Sequence, residues 1–351
     1  MGRKGRRLSL TGFVAIVALA GFGWGGDQAP YYRGVPEECC TSEEARRSVQ
    51  DGFRETIPFN IGSGGVVLFA VGVHVEPHLE YFDPIRYELD RARLLRLAEQ
   101  VERHGGRLVI QLQRPFTEVA LRGGDTLLAD LAQRGHELAL HFHEDFHLPQ
   151  AHARPISDWV AALRREMDLI EAVSGRRPTT WSGGNLYPQM FQAALAVGLQ
   201  TNINYKDPRS QAIPTAFLVV SPWRPASSAS VDTRAAHDPV GKIVYVPSGL
   251  WPAHCPGAEG VPKPYTYRAL DYLTVALRNS LSAADPDKVN TFILTVHPGD
   301  FLAPADDEAE FAVWEAWLGQ VLDPLVRAGR VRWATVAEMV EAYCAWEAGL
   351  P

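Results

Sequence analysis

From residue 65 onward, short apolar runs alternate with segments whose apolar positions recur every three or four residues. The runs predict strands over 66–76, 107–113, 137–143, 179–183, 200–205, 243–247, 291–297 and 331–335. The periodic segments predict helices over 84–104, 125–134, 158–174, 188–197, 266–283 and 309–328, with a last helix at the C-terminus. Gly105-Gly106, Gly135 and Gly175 stop three of them, and Ser157 is placed to cap the helix that carries Trp159, Leu163, Met167 and Ile170 inward. Strand–helix alternation repeated seven or eight times implies parallel strands with helical crossovers. Its length suggests an α/β fold of the TIM-like barrel type, with an open doubly wound sheet as the alternative. No G-x-G-x-x-G follows a strand, and neither G-x-x-x-x-G-K nor G-x-S-x-G occurs. Dinucleotide binding, P-loop chemistry and ordinary serine hydrolysis therefore lack support.

Side chains alternate along a strand, so period two sorts each run into faces. In the first strand Val71, Val73 and Val75 share the bulky face, and Ala70, Gly72, His74 and Glu76 share the other. In the third, Leu138, Leu140 and Phe142 oppose Ala139, His141 and His143. In the seventh, Phe292, Leu294 and Val296 oppose Thr295 and His297. Three strands thus deliver His or Glu to the C-terminal rim, where active sites of parallel α/β folds lie. Two histidines and a carboxylate with an open position form a catalytic zinc set, and imidazole also suits nickel or cobalt. The candidate ligands are His74, Glu76, His141 and His143. His147 extends the run as H-E-D-F-H, and His78, Glu144 and Asp145 are loop candidates. Glu137 faces inward too, but deeper, as a structural residue.

The N-terminus changes the picture of location. Arg3, Lys4, Arg6 and Arg7 precede the apolar stretch LSLTGFVAIVALA, and Ala18-Leu19-Ala20 offers a cleavage site. Residues 1–20 are expected to be a signal peptide, 21–64 a linker or packed extension, and 65–349 the barrel. The apolar stretch is shorter than the ~20 residues of a comfortable span. The folded part is expected to be periplasmic or extracellular, with no stable membrane span after processing; an uncleaved anchor is the alternative. Export permits disulfides, but Cys39, Cys40, Cys255 and Cys344 allow several pairings. A net charge of −7 argues against nucleic acid as a partner. Aromatic residues crowd the loops, among them Trp181, Tyr187, Tyr205, Trp223, Trp251, Tyr265 and Tyr267. Such rings stack on sugars and also fill cores; together they point to a carbohydrate cleft. Trp181, Asn185, Tyr205 and Trp251 are the candidate substrate contacts.

Several segments resemble those of the polysaccharide deacetylase family, the NodB-like carbohydrate esterases. R-G-H-E-L-A-L-H-F-H (134–143) is similar to the segment that opens the family's histidine motif. S-G-R-R-P-T-T-W-S-G-G-N-L-Y-P (174–188) resembles its third motif, and F-I-L-T-V-H-P (292–298) its closing motif with the catalytic histidine. V-G-V-H-V-E-P (71–77) stands in the place of the aspartate-bearing first motif, and V-R-W-A-T-V-A-E-M (331–339) in that of the final strand and helix. The resemblance implies a distorted (β/α)7 barrel, a divalent metal site and acetylated sugar substrates. His141 matches the first ligand histidine. Asp145 stands where the family has its second, so His143 or His147 substitutes for it. Thr180 and Trp181 lie nearest the place of the family's arginine.

The expected activity is a metal-dependent hydrolase that removes acetyl groups from a carbohydrate or polysaccharide. Zinc is the expected metal. Glu76 is the candidate base if it is not a ligand, and His297 the acid. A glycan-binding barrel without hydrolysis is one alternative. A glycoside hydrolase is another, pairing Glu76 with Glu144, Asp145 or Asp300 as its two carboxylates.

Overall fold

The computed structural model describes residues 52–62, 64–184, 187–205, 220–229, 233–234, 236–251, 267–301 and 307–349. Residues 1–20, expected to be a signal peptide, the first part of the expected extension, Cys39, Cys40, Cys255, Asn185 and the side chain of Tyr205 lie outside them. Among the described residues Cys344 is a free thiol.

Eight parallel strands form one curled sheet: β1 (Val67–His74), β2 (Leu108–Leu112), β3 (Glu137–His141), β4 (Thr180–Ser182), β5 (Thr201–Tyr205), β6 (Val244–Pro247), β7 (Asn290–Val296) and β8 (Val331–Trp333). Their order is β6-β5-β4-β3-β2-β1-β7, with β8 also on β1. β7 runs along nearly the whole of β1 on one side. On the other side β8 pairs with Val67–Phe69 and β2 with Val71–His74. The barrel is distorted because β6 and β7 do not form a ladder among the described residues. Thr291 Oγ1 donates to Pro247 O (2.9 Å) and Ile293 N to Ser248 O (3.4 Å) across that seam. Of the two parallel α/β architectures the pattern allowed, the TIM-like barrel is the one observed, in distorted form.

Two cores follow from the period-two faces. Val67, Phe69, Val71, Val73, Leu108, Ile110, Leu138 and Leu140 pack outward under the helices. Burying one such side chain stabilises by ~1.5 to 3 kcal/mol. Leu68, Ala70, Val109, Ala139, Ile203, Val244, Val246 and Ile293 fill the inside with Val336, Met339 and Tyr343 of the last helix. That inner core fills the barrel at the level of the strand starts and leaves their ends for polar side chains.

The helices are α1 (Pro84–Arg103), α2 (Phe116–Gly123), α3 (Leu127–Gln133), the single turn α4 (Glu144–His147), α5 (Ile156–Ser174), α6 (Met190–Val197), α7 (Tyr267–Ala283), α8 (Asp307–Trp317), α9 (Asp323–Arg327) and α10 (Val336–Ala348). Asp83 caps α1 by accepting from Ile85 N at 2.9 Å, with Pro84 at the first helical position. α5 starts at Ile156, ahead of the expected cap at Ser157, because extended Pro155 precedes the first turn. α2 is a helix the pattern did not predict. The expected helix 309–328 is interrupted by a π-turn, Leu318–Leu322. Pro324, which has no N–H to give, follows at once. Thr335 and Glu338 form a capping box on α10, and Glu137 Oε2 accepts from Ala337 N at 2.9 Å. The deep inward carboxylate is therefore structural, as expected, and burial raises its pKa.

Residues 52–62 are a packed extension. Arg54 N and Glu55 N donate to the Asp271 carboxylate at 3.0 Å. The Arg330 guanidinium reaches Phe59 O (2.7 Å) and Ile61 O (2.6 Å).

Candidate metal centre

Three parallel strands carry the polar cluster past their last ladder residues. β1 ends at His74, and Val75 N still donates to Gln111 O (2.9 Å), so Glu76 leaves in extended register. β3 ends at His141, and Phe142 N donates to Ser182 O (2.9 Å), which keeps His143 on the face of His141. β7 ends at Val296, and His297 begins the short turn Pro298–Asp300. Because the strands are parallel, all three ends meet at one rim.

Glu76 is the centre of the cluster. Its Oε2 lies 2.6 Å from His143 Nε2, and its Oε1 lies 3.1 Å from His297 Nε2 and 3.5 Å from His141 Nε2. The His74 ring stacks on His141 (4.0 Å between centroids, 27°) and meets His297 edge-on (5.3 Å). The five residues singled out from the sequence are thus together. They fall into two sets that share Glu76: Glu76, His141 and His143, and His74, Glu76 and His297. Within each set the ligand atoms lie within 4.8 Å of one another. His74 groups with His297 instead of joining one four-ligand set with His141 and His143.

The second contacts orient the rings. Asp300 Oδ2 accepts from His297 N (2.8 Å) and faces His297 Nδ1 at 3.0 Å. Ser182 Oγ lies 2.7 Å from His141 Nδ1. Both arrangements leave Nε2 turned toward Glu76. His141 Nε2 and His143 Nε2 are buried and form no hydrogen bond of acceptable angle, despite the nearby carboxylate. Nitrogens crowded on a carboxylate without hydrogen-bond geometry suit a shared cation. The residues present therefore fit a divalent metal.

Charge follows the same geometry. Burial opposes ionisation of Glu76, but the charge of His141 and the close approach of the His143 and His297 rings outweigh it and hold the carboxyl well below the usual range. Burial pushes the His141 pKa down. For His143 burial is outweighed by the Glu76 carboxylate, and its pKa rises.

His147 lies apart from both sets. Its side chain is fully buried, stacked on Phe142 at 5.1 Å, with Nε2 2.8 Å from Gln113 Oε1. Burial first, then Arg114, lowers its pKa to about 3, so the ring is neutral. A neutral ring that donates from Nε2 accepts at Nδ1 from Arg114 Nη2 (3.3 Å). Arg114 is itself held by Glu166, whose carboxylate also accepts from Arg114 N at 3.0 Å. Gln113 then ties two strand ends, donating to Val75 O (3.2 Å) and accepting from His143 N (3.3 Å). His147 thus packs behind the cluster, and of the two histidines the resemblance left open it is His143 that stands with Glu76 and His141. Glu144 Oε2 accepts from Gly184 N at 3.0 Å, and the side chain of Asp145 lies outside the described residues.

Two expected substrate contacts are corrected. Trp181 is 0% exposed and belongs to the outer core under the helices. Its neighbours Thr180 and Ser182 point inward, to Glu137 and His141, so period two turns the indole the other way. Trp251 is buried in the same core, stacked on Phe292 at 5.3 Å, with Nε1 donating to Ser248 O (3.1 Å). Among the other loop aromatics, Tyr187 packs on Trp159, Trp223 on Tyr245 and Tyr267 on Phe53. Ser182 and Gln113 were not expected from the sequence. The alternation that exposed His141 would have placed both on the inner face.

No protein-family model matches the chain, and no curated protein matches it in sequence. Solved structures do resemble it. A protein assigned as a polysaccharide deacetylase from Mycobacterium smegmatis superposes with a TM-score of 0.53 at 13% identity, over 84% of this chain and 95% of that one. One so assigned from Pseudomonas aeruginosa PAO1 gives 0.56 at 12%, over 80% and 92%. The allantoinase PuuE gives 0.55 at 11%, over 85% and 96%. At such identities the likeness concerns the fold. The chain has the deacetylase-type barrel, and a fold shared with an allantoinase leaves the reaction to be argued from the site.

Proposed function

We propose that this protein is an exported, metal-dependent hydrolase that removes acetyl groups from a carbohydrate or polysaccharide. The observation that carries this reading is Glu76, with its two oxygens facing imidazoles from β3 and the end of β7 at the C-terminal rim. Glu76, His141 and His143 would hold the ion, and zinc suits two imidazoles, a carboxylate and an open position. An ion held there would supply a Lewis acid for the acyl carbonyl and would lower the pKa of water toward ~7. Ser182 holds His141 at Nδ1 and so keeps its Nε2 on the ion's side. Asp300 holds His297 at Nδ1, which leaves Nε2 to hand a proton to the leaving amine or alkoxide. With Trp181 and Trp251 in the core, Asn185 and Tyr205 remain the candidates for substrate contact. Solved structures assigned as polysaccharide deacetylases share the fold, which supports the substrate class.

A glycoside hydrolase needs two carboxylates facing one sugar. Asp300 is buried and turned to His297, and Glu144 is engaged by Gly184 N, so the deacetylase reading is the better one.

Metal analysis of the purified protein, with acetate release from acetylated oligosaccharides, tests the proposal. The expected result is a bound divalent ion and turnover, both lost in His141→Ala. Metal without acetate release would favour the glycan-binding barrel, and absence of metal would sink the reading. Export rests on the charged, apolar and small-residue order of residues 1–20. Mass spectrometry of the exported protein should find a start near Gly21, whereas an intact Met1 would favour an anchor. Among the described residues no helix is long and apolar enough to cross a membrane.

A further inference from the structure

We propose that His74, Glu76 and His297 form a second divalent-metal site, that Glu76 bridges it to the first, and that filling it shuts the enzyme down. The inference rests on the metal reading of Glu76, His141 and His143 and goes beyond it.

Three observations carry it. The ligand atoms of His74, Glu76 and His297 lie within 4.8 Å of one another, the bound that the first set also meets. The two sets use different ring nitrogens and meet only at Glu76, whose Oε2 faces His143 at 2.6 Å and whose Oε1 faces His297 at 3.1 Å and, farther off, His141 at 3.5 Å. A carboxylate whose two oxygens face imidazoles of both sets can bridge two ions. Finally, His297 has the outer contact typical of a metal-bound imidazole. Such rings hold their other nitrogen on a carboxylate, and His297 Nδ1 lies 3.0 Å from Asp300 Oδ2. His74 and His297 are both buried, so each has few water partners to lose on ligation.

The consequence for turnover follows from one atom. The proton that His297 would give the leaving group sits on Nε2, the nitrogen that faces Glu76. An ion bound there takes the Nε2 lone pair, and the proton goes to solvent. The ring then has no proton to give while the ion stays. Binding is weaker than at the first site, because a second double positive charge is repelled by the first and has to share the Glu76 carboxylate with it. Metal therefore activates at one equivalent and inhibits at the second.

Equilibrium dialysis of the purified chain against Zn(II), and separately Co(II), counts ions per chain, and acetate release is followed over the same titration. Wild type should take up two ions, the second more weakly, with turnover falling by ~10²-fold as the second binds. His74→Ala and His297→Ala should each take up one. His74→Ala should also lose the inhibition by excess metal. With Co(II), the second ion should alter the electron paramagnetic resonance signal of the first through the shared carboxylate. His74→Asn serves where the alanine variant fails to fold, as judged by circular dichroism. One ion in wild type at saturation overturns the second site and leaves the proposed function standing. No ion at all overturns both. Two ions still bound by both His74→Ala and His297→Ala place the second elsewhere and also overturn it.

Discussion

Glu76 Oε2 approaches His143 Nε2 to 2.6 Å, although one residue leaves β1 and the other leaves β3. β2 lies between those strands, and its continuation, Gln113, bonds to Val75 O and His143 N, the backbone beside each member of the pair. The carboxylate and the ring are held together from behind before any ligand arrives. Such preorganisation lowers the cost of assembling a metal site.

Glu76→Gln should therefore remove metal, since it takes the charge and one donor from both ligand sets. Zinc affinity, measured by chelator competition, is expected to fall by more than the ~10- to 100-fold that loss of an outer contact costs. Unchanged affinity would mean that the two histidine pairs bind without the carboxylate.

Asp300→Asn tests the brace behind His297. The ring keeps its place in the turn but loses the charge at Nδ1. Turnover on acetylated oligosaccharide should drop by ~10- to 100-fold, with KM little changed and the first ion still bound. A loss confined to KM would make Asp300 a substrate-side residue.

His147 predicts a pH dependence of stability. Its pKa is lowered from 6.5 to about 3 in the fold. Between those values the unfolded chain binds the proton and the folded chain does not, so stability rises with pH there. The contribution is complete above pH 6.5 and is lost as pH falls toward 3. Chemical denaturation of metal-free protein should show this slope, and His147→Gln should flatten it by several kcal/mol across the window. Glu76 adds a slope of the same sign at lower pH, but it is common to both proteins and cancels in the comparison. Equal slopes would contradict a buried, neutral His147.

Gly183 separates two effects of a glycine. Its φ is +86°, and an added Cβ would stand 2.3 Å from Phe142 O, a backbone atom in the run that carries His143. Gly105 also has a positive φ, +78°, but open space around it. Gly105→Ala should cost ~1 kcal/mol. Gly183→Ala should cost ~3 kcal/mol and lower Tm by roughly 5 to 10 °C. Equal melting temperatures for the two variants would show that the loop after β4 can shift away from Phe142.

Local pattern was enough to specify parallel strands with helical crossovers, because strand alternation and helical period are properties of neighbouring residues, but it left a barrel and an open doubly wound sheet both standing. The same period two put His74, Glu76, His141, His143 and His297 on inward faces and so identified the rim. It also contained the orientation of Trp181, which lies between inward Thr180 and Ser182, although its aromatic character suggested a sugar contact instead. Other features depend on distances between strands far apart in the chain, which no local period encodes. The division of the cluster into two sets sharing Glu76 is one, set by how β1, β3 and β7 sit around the curled sheet. The separation of His147 from the ligands is another. In the chain His147 follows His143 by one helical turn, but burial against Phe142 and a bond to Gln113, just past β2, turn its ring away from Glu76. Residue types and alternation thus named the candidate groups, while tertiary packing decided which nitrogen faces which oxygen, since only the folded sheet brings those atoms within bonding distance.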